Sequence, residues 1–368
     1  MPASRSNASP TLPRHNGGGL ILLVAVFAAR LGAIEPTPVE LKPPAQWSDL
    51  FRTSAISVVS ENDKYFAGTD RHYTNGVRLS FLGETRLDES PAFVQKVAEY
   101  VPTLHGEAAR LQSYKVGVSL GQNIYTPSDT GTSTPITSER PYAGWLYGAL
   151  TFQAQSADSR LLRVVDLTFG VVGPGALGRQ AQNQVHRWLG LPPANGWANQ
   201  LHNELGLLLT WERRYRVGKI NLPVAGLQSD LIVRGGVSVG NVRTNLATGF
   251  AVRLGWWLPS DFGSDLIRPA GGSIASAHRY SAYFFGNTET RLVARDIFLD
   301  GNTWRDSASV PKRPVVADLN VGFVVRLPIA GPHLKGLQFA YTQNYRTKEF
   351  YGQRQRDVFG SLSISFLF

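Results

Sequence analysis

The sequence has 368 residues, 17% of them charged and 11% aromatic, with 37 glycines, 22 prolines and a formal charge of +10. That length suffices for one large barrel or one large core. It contains no cysteine, which excludes a disulfide scaffold, a thiolate-held zinc and a thiol nucleophile, and suits an oxidising compartment.

The first element is a targeting segment. Arg5, Arg14 and His15 make a basic start, and residues 18–29, GGLILLVAVFAA, make an apolar run. Roughly a dozen apolar residues are too few to cross a bilayer as a helix and fit a secretory signal peptide. Cleavage is expected after Ala33, in Leu31-Gly-Ala33, so that residues 1–33 are the signal, 34–53 a periplasmic leader and 54–368 the body. An uncleaved N-terminal anchor is the alternative. Losing Arg5, Arg14 and Arg30 with no acid brings the charge from +10 to +7. For an exported chain, that balance points to anionic lipid or lipopolysaccharide phosphate rather than to nucleic acid.

The rest of the chain reads as strands. Twelve segments are expected, at residues 54–62, 73–84, 113–125, 144–156, 160–173, 202–218, 226–241, 245–256, 279–294, 315–327, 336–350 and 357–368. Many exceed ten residues, longer than strands of soluble sheets and long enough to cross a bilayer at a tilt. Apolar residues alternate at Val77, Leu79 and Phe81, and along Leu319–Leu327, where Val324 breaks the pattern on the other face. The chain ends Leu362-Ser-Ile-Ser-Phe-Leu-Phe368. Period-two alternation fits a wall with lipid on one side and a polar lumen on the other. The expected fold is therefore all-β: a transmembrane antiparallel β-barrel of about twelve strands, with short helices in loops at the extracellular rim. Aromatic clusters at Tyr142, Trp145 and Tyr147, at Trp211 and Tyr215, at Trp256 and Trp257, and at Tyr280–Phe285 are expected to form interfacial girdles.

Two segments break the strand rhythm. Residues 91–101 suggest a short amphipathic helix. Residues 176–189, ALGRQAQNQVHRWL, follow the breaker Gly173-Pro-Gly175 and are rich in helix formers. A helix inserted there in an all-β chain is expected at the barrel mouth or in an extracellular loop.

Candidate chemistry sits at these interruptions. The loop Glu61–Gly76, ENDKYFAGTDRHYTNG, is longer and more polar than a hairpin turn requires. It is either a solvated loop or the rim of a site. Asn62 and Asp63 offer amide and carboxylate oxygens to a hard cation such as Ca²⁺, and Asp70, Tyr73 and Thr74 can face the same point. On the helix, Gln182 and Asn183 lie at i−4 and i−3 from His186, on one face. His186 is the candidate base, or else a lone histidine on a loop helix. The two G-x-S-x-G spellings, at Gly117–Gly121 and Gly236–Gly240, lie inside strand-like runs and lack the strand–turn–helix context of a nucleophile elbow.

The stretches 61–81, QNIYTPSD (122–129), ERPYAGWLY (139–147), GVVGPGALGRQAQNQVHRWLG (170–190) and WANQLHNE (197–204) resemble, in order, the outer-membrane lipid A 3′-O-deacylase family of Gram-negative bacteria. The resemblance spans the whole mature chain. It implies a twelve-stranded outer-membrane barrel that acts as a Ca²⁺-dependent esterase on lipid A of lipopolysaccharide, with its site near the extracellular rim. It assigns His186 as general base, Asn62 and Asp63 as the metal-proximal pair, and Thr74 as a further site residue. Gln182, Tyr125 and Arg140 are the expected substrate contacts.

The chain departs from the family pattern twice. The loop Thr130–Pro135 lacks the family's site lysine, and Arg140 is the expected substitute. Leu191-Pro-Pro-Ala194 stands where the family carries an acid after the helical histidine, and Glu204 is the next acid downstream. Two other readings stay open: a calcium-dependent outer-membrane phospholipase, which would need a serine beside His186, and a non-catalytic pore or adhesion barrel.

Overall fold

The computed structural model describes residues 53–65, 72–85, 95–96, 111–263, 267 and 279–368. The expected signal peptide and leader, and all but two residues of the helix expected at 91–101, lie outside the described residues. So does Asp70.

Twelve strands form one closed sheet. They are β1 (Thr53–Asn62), β2 (His72–Thr85), β3 (Leu111–Thr126), β4 (Ala143–Ser156), β5 (Leu161–Val172) and β6 (Glu204–Asn221). The second half is β7 (Leu227–Gly240), β8 (Arg243–Trp256), β9 (Ser281–Asp296), β10 (Val315–Pro328), β11 (Gly336–Arg346) and β12 (Asp357–Leu367). Each pairs antiparallel with its neighbours in chain order, and β12 closes on β1 from Ala55↔Leu367 to Asn62↔Gly360. Closure removes both sheet edges, which hydrocarbon could not satisfy. Strand β11 stops at Arg346, short of the expected end, and Phe350 instead makes an isolated bridge with Lys312.

Inside and outside are inverted relative to a soluble protein. On β6, Leu205, Leu207 and Leu209 point outward, Leu205 with 81% of its surface exposed, while Glu204, Thr210, Glu212 and Arg214 are buried within. On β12, Ile364 and Phe366 face out, and Ser361, Ser363 and Ser365 face in. An apolar belt around a polar interior is the arrangement lipid demands.

The lumen is crossed by buried ion pairs. Arg253 holds Asp230 and Asp261, Arg326 also holds Asp261, and Arg291 and Arg346 share Asp318. Val324, the break in the β10 alternation, joins an inner apolar cluster with Leu258, Tyr283, Phe285 and Ala340.

The aromatic girdle is only partly where the clusters suggested. Tyr215, Trp256, Trp257, Tyr280 and Phe284 are exposed, but Tyr142, Trp145, Tyr147, Tyr283 and Phe285 are buried. Trp145 and Tyr147 stack on each other inside the barrel, with ring centroids 5.6 Å apart. Odd positions of β4 face the lumen, so strand parity decides their place.

Candidate active site on the outer wall

The connections 63–71, 127–142, 173–203, 297–314 and 347–356 all leave the same rim, opposite the chain's C-terminus. The longest of them carries the helix. After β5, a 3₁₀ turn (Pro174–Ala176) leads through Leu177, which is left-handed at φ 58°, into helix α1 (Gly178–Trp188). This matches the helix expected at 176–189, divided by one left-handed residue.

Strand register shows which side of the wall α1 covers. Asn62 lies opposite Asn75, Asn75 opposite Ile124, and Ile124 opposite Gly144. Residues directly opposite share a face. Two residues down each strand, the row is Ser60, Val77, Gln122 and Leu146, and Val77 is exposed to the outside. The row from Asn62 to Gly144 is therefore on the outer face, just above the apolar belt. Spanning three inter-strand gaps, it is about 14 Å wide.

Helix α1 docks on one end of this row. A Cβ built on Gly144 would lie 3.0 Å from the Ala176 side chain and 3.3 Å from the Gly178 backbone. Gln122, from the row below, donates through Nε2 to the Ala176 carbonyl at 2.6 Å. Gly178 in turn leaves room for Trp197, whose ring a Cβ there would approach to 2.6 Å.

The buried face of α1 consists of Gly178, Gln182 and His186, at i, i+4 and i+8. Trp197 is buried against Ile124, Tyr142 and Ala194, and its indole N–H donates to Gln182 Oε1 at 2.8 Å. His186 Nδ1 lies 2.6 Å from the Pro192 carbonyl oxygen. A carbonyl can only accept, so Nδ1 carries the proton and the lone pair of the neutral ring is on Nε2. Asn183 grips the Ala194 backbone twice, accepting from its N–H at 2.9 Å and donating to its carbonyl at 3.5 Å.

At the other end of the row, Asp63 is buried in the turn after β1, and its N–H donates to the Thr74 carbonyl at 3.4 Å. Asn62 Oδ1 accepts from the Lys64 N–H at 2.7 Å. Against β3, the register skips Thr74 between Tyr73 and Asn75. This bulge re-aims one side chain, and the Thr74 and Thr126 hydroxyls pair at 2.7 Å. The donors here are oxygens: one carboxylate, amides, hydroxyls and carbonyls. Among the described residues, no three His, Cys, Asp or Glu side chains converge as metal ligands. Such a set fits a hard cation bound partly by neutral oxygens, and not zinc.

Two expected substrate contacts are elsewhere. Tyr125 faces the lumen, stacked on Phe298 at 4.0 Å. Arg140 is 1% exposed, donates to Glu349 at 3.0 Å and covers the Tyr125 ring at 4.9 Å. The geometry gives Arg140 the task of tying the 127–142 and 347–356 connections together behind the wall. Glu204 also faces inward, where Asn241, Asn302 and the Thr303 N–H bind its carboxylate.

The same inner layer holds His72, between Asp357 at 2.5 Å and Glu139 at 3.1 Å. Burial alone would raise the Glu139 carboxyl, but its bond and attraction to His72 hold it below the usual range. Burial likewise opposes ionisation of Glu349, yet Arg346 and Arg140 bring its pKa down to about 2.

The structure thus places Asn62, Thr74, Gln182 and His186 along the outer wall, with Asp63 at the adjoining turn, and moves Tyr125 and Arg140 inside. Sequence reading missed Trp197 and the Pro192 carbonyl as partners of the helix residues. The indole had a signal, since it opens the WANQLHNE stretch, whereas every residue offers a carbonyl.

A family model described as outer membrane protein LpxR matches residues 21–368. No curated protein matches the chain. Among solved structures, the chain is similar to LpxR from Salmonella typhimurium, with 20% identity and a TM-score of 0.67, covering 85% of this chain and 100% of that one. It is also similar to an outer membrane channel from Pseudomonas putida F1, with 9% identity and a TM-score of 0.40, covering 91% and 100%.

Proposed function

The chain belongs to the LpxR family of outer-membrane proteins, and on that premise we propose that it is a lipid A deacylase: a Ca²⁺-dependent esterase that removes the ester-linked 3′-acyloxyacyl chain of lipid A. The observation that carries the reading is the placement of His186. It lies on the buried face of α1, the helix that docks through Ala176 and Gly178 on the outer wall at the rim, where a lipid of the outer leaflet would meet it without leaving the membrane.

In this reading, Nε2 of His186 takes a proton from the attacking water while Nδ1 stays bonded to Pro192. Gln182, held by Trp197, presents its amide beside the reacting ester. Asp63, Asn62 and the Thr74 hydroxyl would hold the cation. Bound there, Ca²⁺ would polarise the ester carbonyl and stabilise the oxyanion. The belt below the row, with Val77, Leu79, Val118 and Leu120 exposed, gives the acyl chains an apolar wall. Mature-chain basicity suits a phosphorylated glycolipid.

A conducting pore is the less favoured reading. Buried ion pairs cross the lumen, and the Ile267 N–H donates to Glu61 inside it at 2.8 Å. The test is lipid A from cells expressing the wild-type chain and the His186→Ala variant. Loss of an acyloxyacyl unit only with the wild type supports the deacylase.

A further inference from the structure

The turn Leu191-Pro-Pro-Ala194 carries no side chain able to accept a hydrogen bond, yet His186 is oriented there. Its Nδ1 meets the Pro192 carbonyl at 2.6 Å, and the Leu191 N–H returns to the His186 carbonyl at 2.8 Å. Two prolines alone do not hold such a turn against the helix, because neither has an N–H. Besides His186 itself, Asn183 reaches across from α1 and binds both polar groups of the Ala194 backbone.

Resting on the deacylase reading for the reaction itself, we propose that Asn183 is a positioning residue. By pinning Ala194 it fixes the 191–194 turn, so that the Pro192 carbonyl keeps His186 protonated on Nδ1 and basic at Nε2. A main-chain carbonyl thereby does what a carboxylate does beside other catalytic histidines. Unlike a carboxylate it does not titrate, so the tautomer is set by the fold alone.

The test is nitrogen NMR of ¹⁵N-histidine-labelled, folded barrel. The chain has 7 histidines, and the signals lost in His186→Ala identify the ring. Wild type is expected to show His186 as the Nδ1–H tautomer. Asn183→Ala is expected to convert it to a tautomer mixture and to lower kcat about tenfold with KM unchanged, within the range of general-base effects. Asn183→Asp, which keeps the acceptor for the Ala194 N–H, is expected to retain the wild-type tautomer and most of kcat.

A wild-type His186 protonated on Nε2 would overturn the proposal, whatever the variants do. So would an Asn183→Ala ring that stays fully Nδ1–H. If the tautomers behave as expected but lipid A is never cleaved, the positioning stands and the deacylase reading fails.

Discussion

Gly144 on β4 and Gly178 at the start of α1 meet backbone to backbone: a Cβ placed on Gly178 would lie 3.2 Å from the Gly144 Cα. This contact seats the helix on the outside of a barrel wall and brings Gln182 and His186 to face it. Helix propensity favours alanine over glycine by about 1 kcal/mol, so Gly178→Ala would strengthen an isolated α1. Here it should instead push Trp197 away and cut lipid A deacylation at least tenfold. The barrel should remain folded, as judged by its heat-modifiable gel mobility. Wild-type turnover in this variant would contradict the packing account.

Trp197 to Gln182 is the second anchor. Trp197→Phe keeps an aromatic ring at the site but removes the N–H that Gln182 Oε1 accepts at 2.8 Å. Leaving a buried acceptor unsatisfied costs about 1–3 kcal/mol. Turnover is expected to fall by a comparable factor, about 5- to 150-fold, measured by release of acyl chain from lipid A in mixed micelles.

The clasp of connections behind the wall should open in acid. The Glu349 carboxyl has its folded pKa lowered from 4.5 to about 2. Its contribution is therefore complete above pH 4.5 and is lost as pH falls toward 2. Glu139 shifts in the same direction and adds to the effect. Amide-exchange protection over residues 347–356, relative to the intrinsic rate at each pH, should fall across that window. In Arg140→Ala, which leaves the buried Glu349 carboxylate to Arg346 alone, exchange should be faster than in the wild type at pH 7.

The proposed Ca²⁺ site carries its own test. Chelation should abolish deacylation and added Ca²⁺ should restore it. Asp63→Asn, which removes the carboxylate at the rim turn, should need at least tenfold more Ca²⁺ for half-maximal rate. Calorimetric titration of Ca²⁺ into the folded barrel checks this without substrate, and equal affinity in both proteins would remove Asp63 from the site.

The barrel was legible because lipid imposes a simple rule. Residues such as Val77, Leu79, Ile364 and Phe366 must alternate with polar ones, and each of the twelve expected strands has its counterpart. Strand ends were less so: nothing local stops β11 at Arg346, since Phe350 is as good a strand former and its bridge to Lys312 is a tertiary event. Spacing on the helix placed Gln182 and His186 on one face, and family resemblance named them. Neither indicated which side of the wall that face covers. That depends on the parity of β3 and β4, which turns Ile124 and Gly144 outward and Tyr125 and Trp145 inward. The same parity explains why Trp145 and Tyr147 form no girdle, whereas Arg140, in the connection before β4, is turned inward by its bond to Glu349. The bulge that re-aims Thr74 and the carbonyl that orients His186 are backbone features, and residue types carry no mark of either.

Mass spectrometry of lipid A from cells expressing the chain, beside cells expressing His186→Ala, tests the central claim most directly. The account predicts loss of one acyloxyacyl unit with the wild type, only when Ca²⁺ is free. With the variant folded in the outer membrane, it predicts a loss of rate of at least ~10²–10⁴-fold. Unchanged lipid A from the folded wild-type barrel, or equal cleavage by the His186→Ala variant, would contradict it.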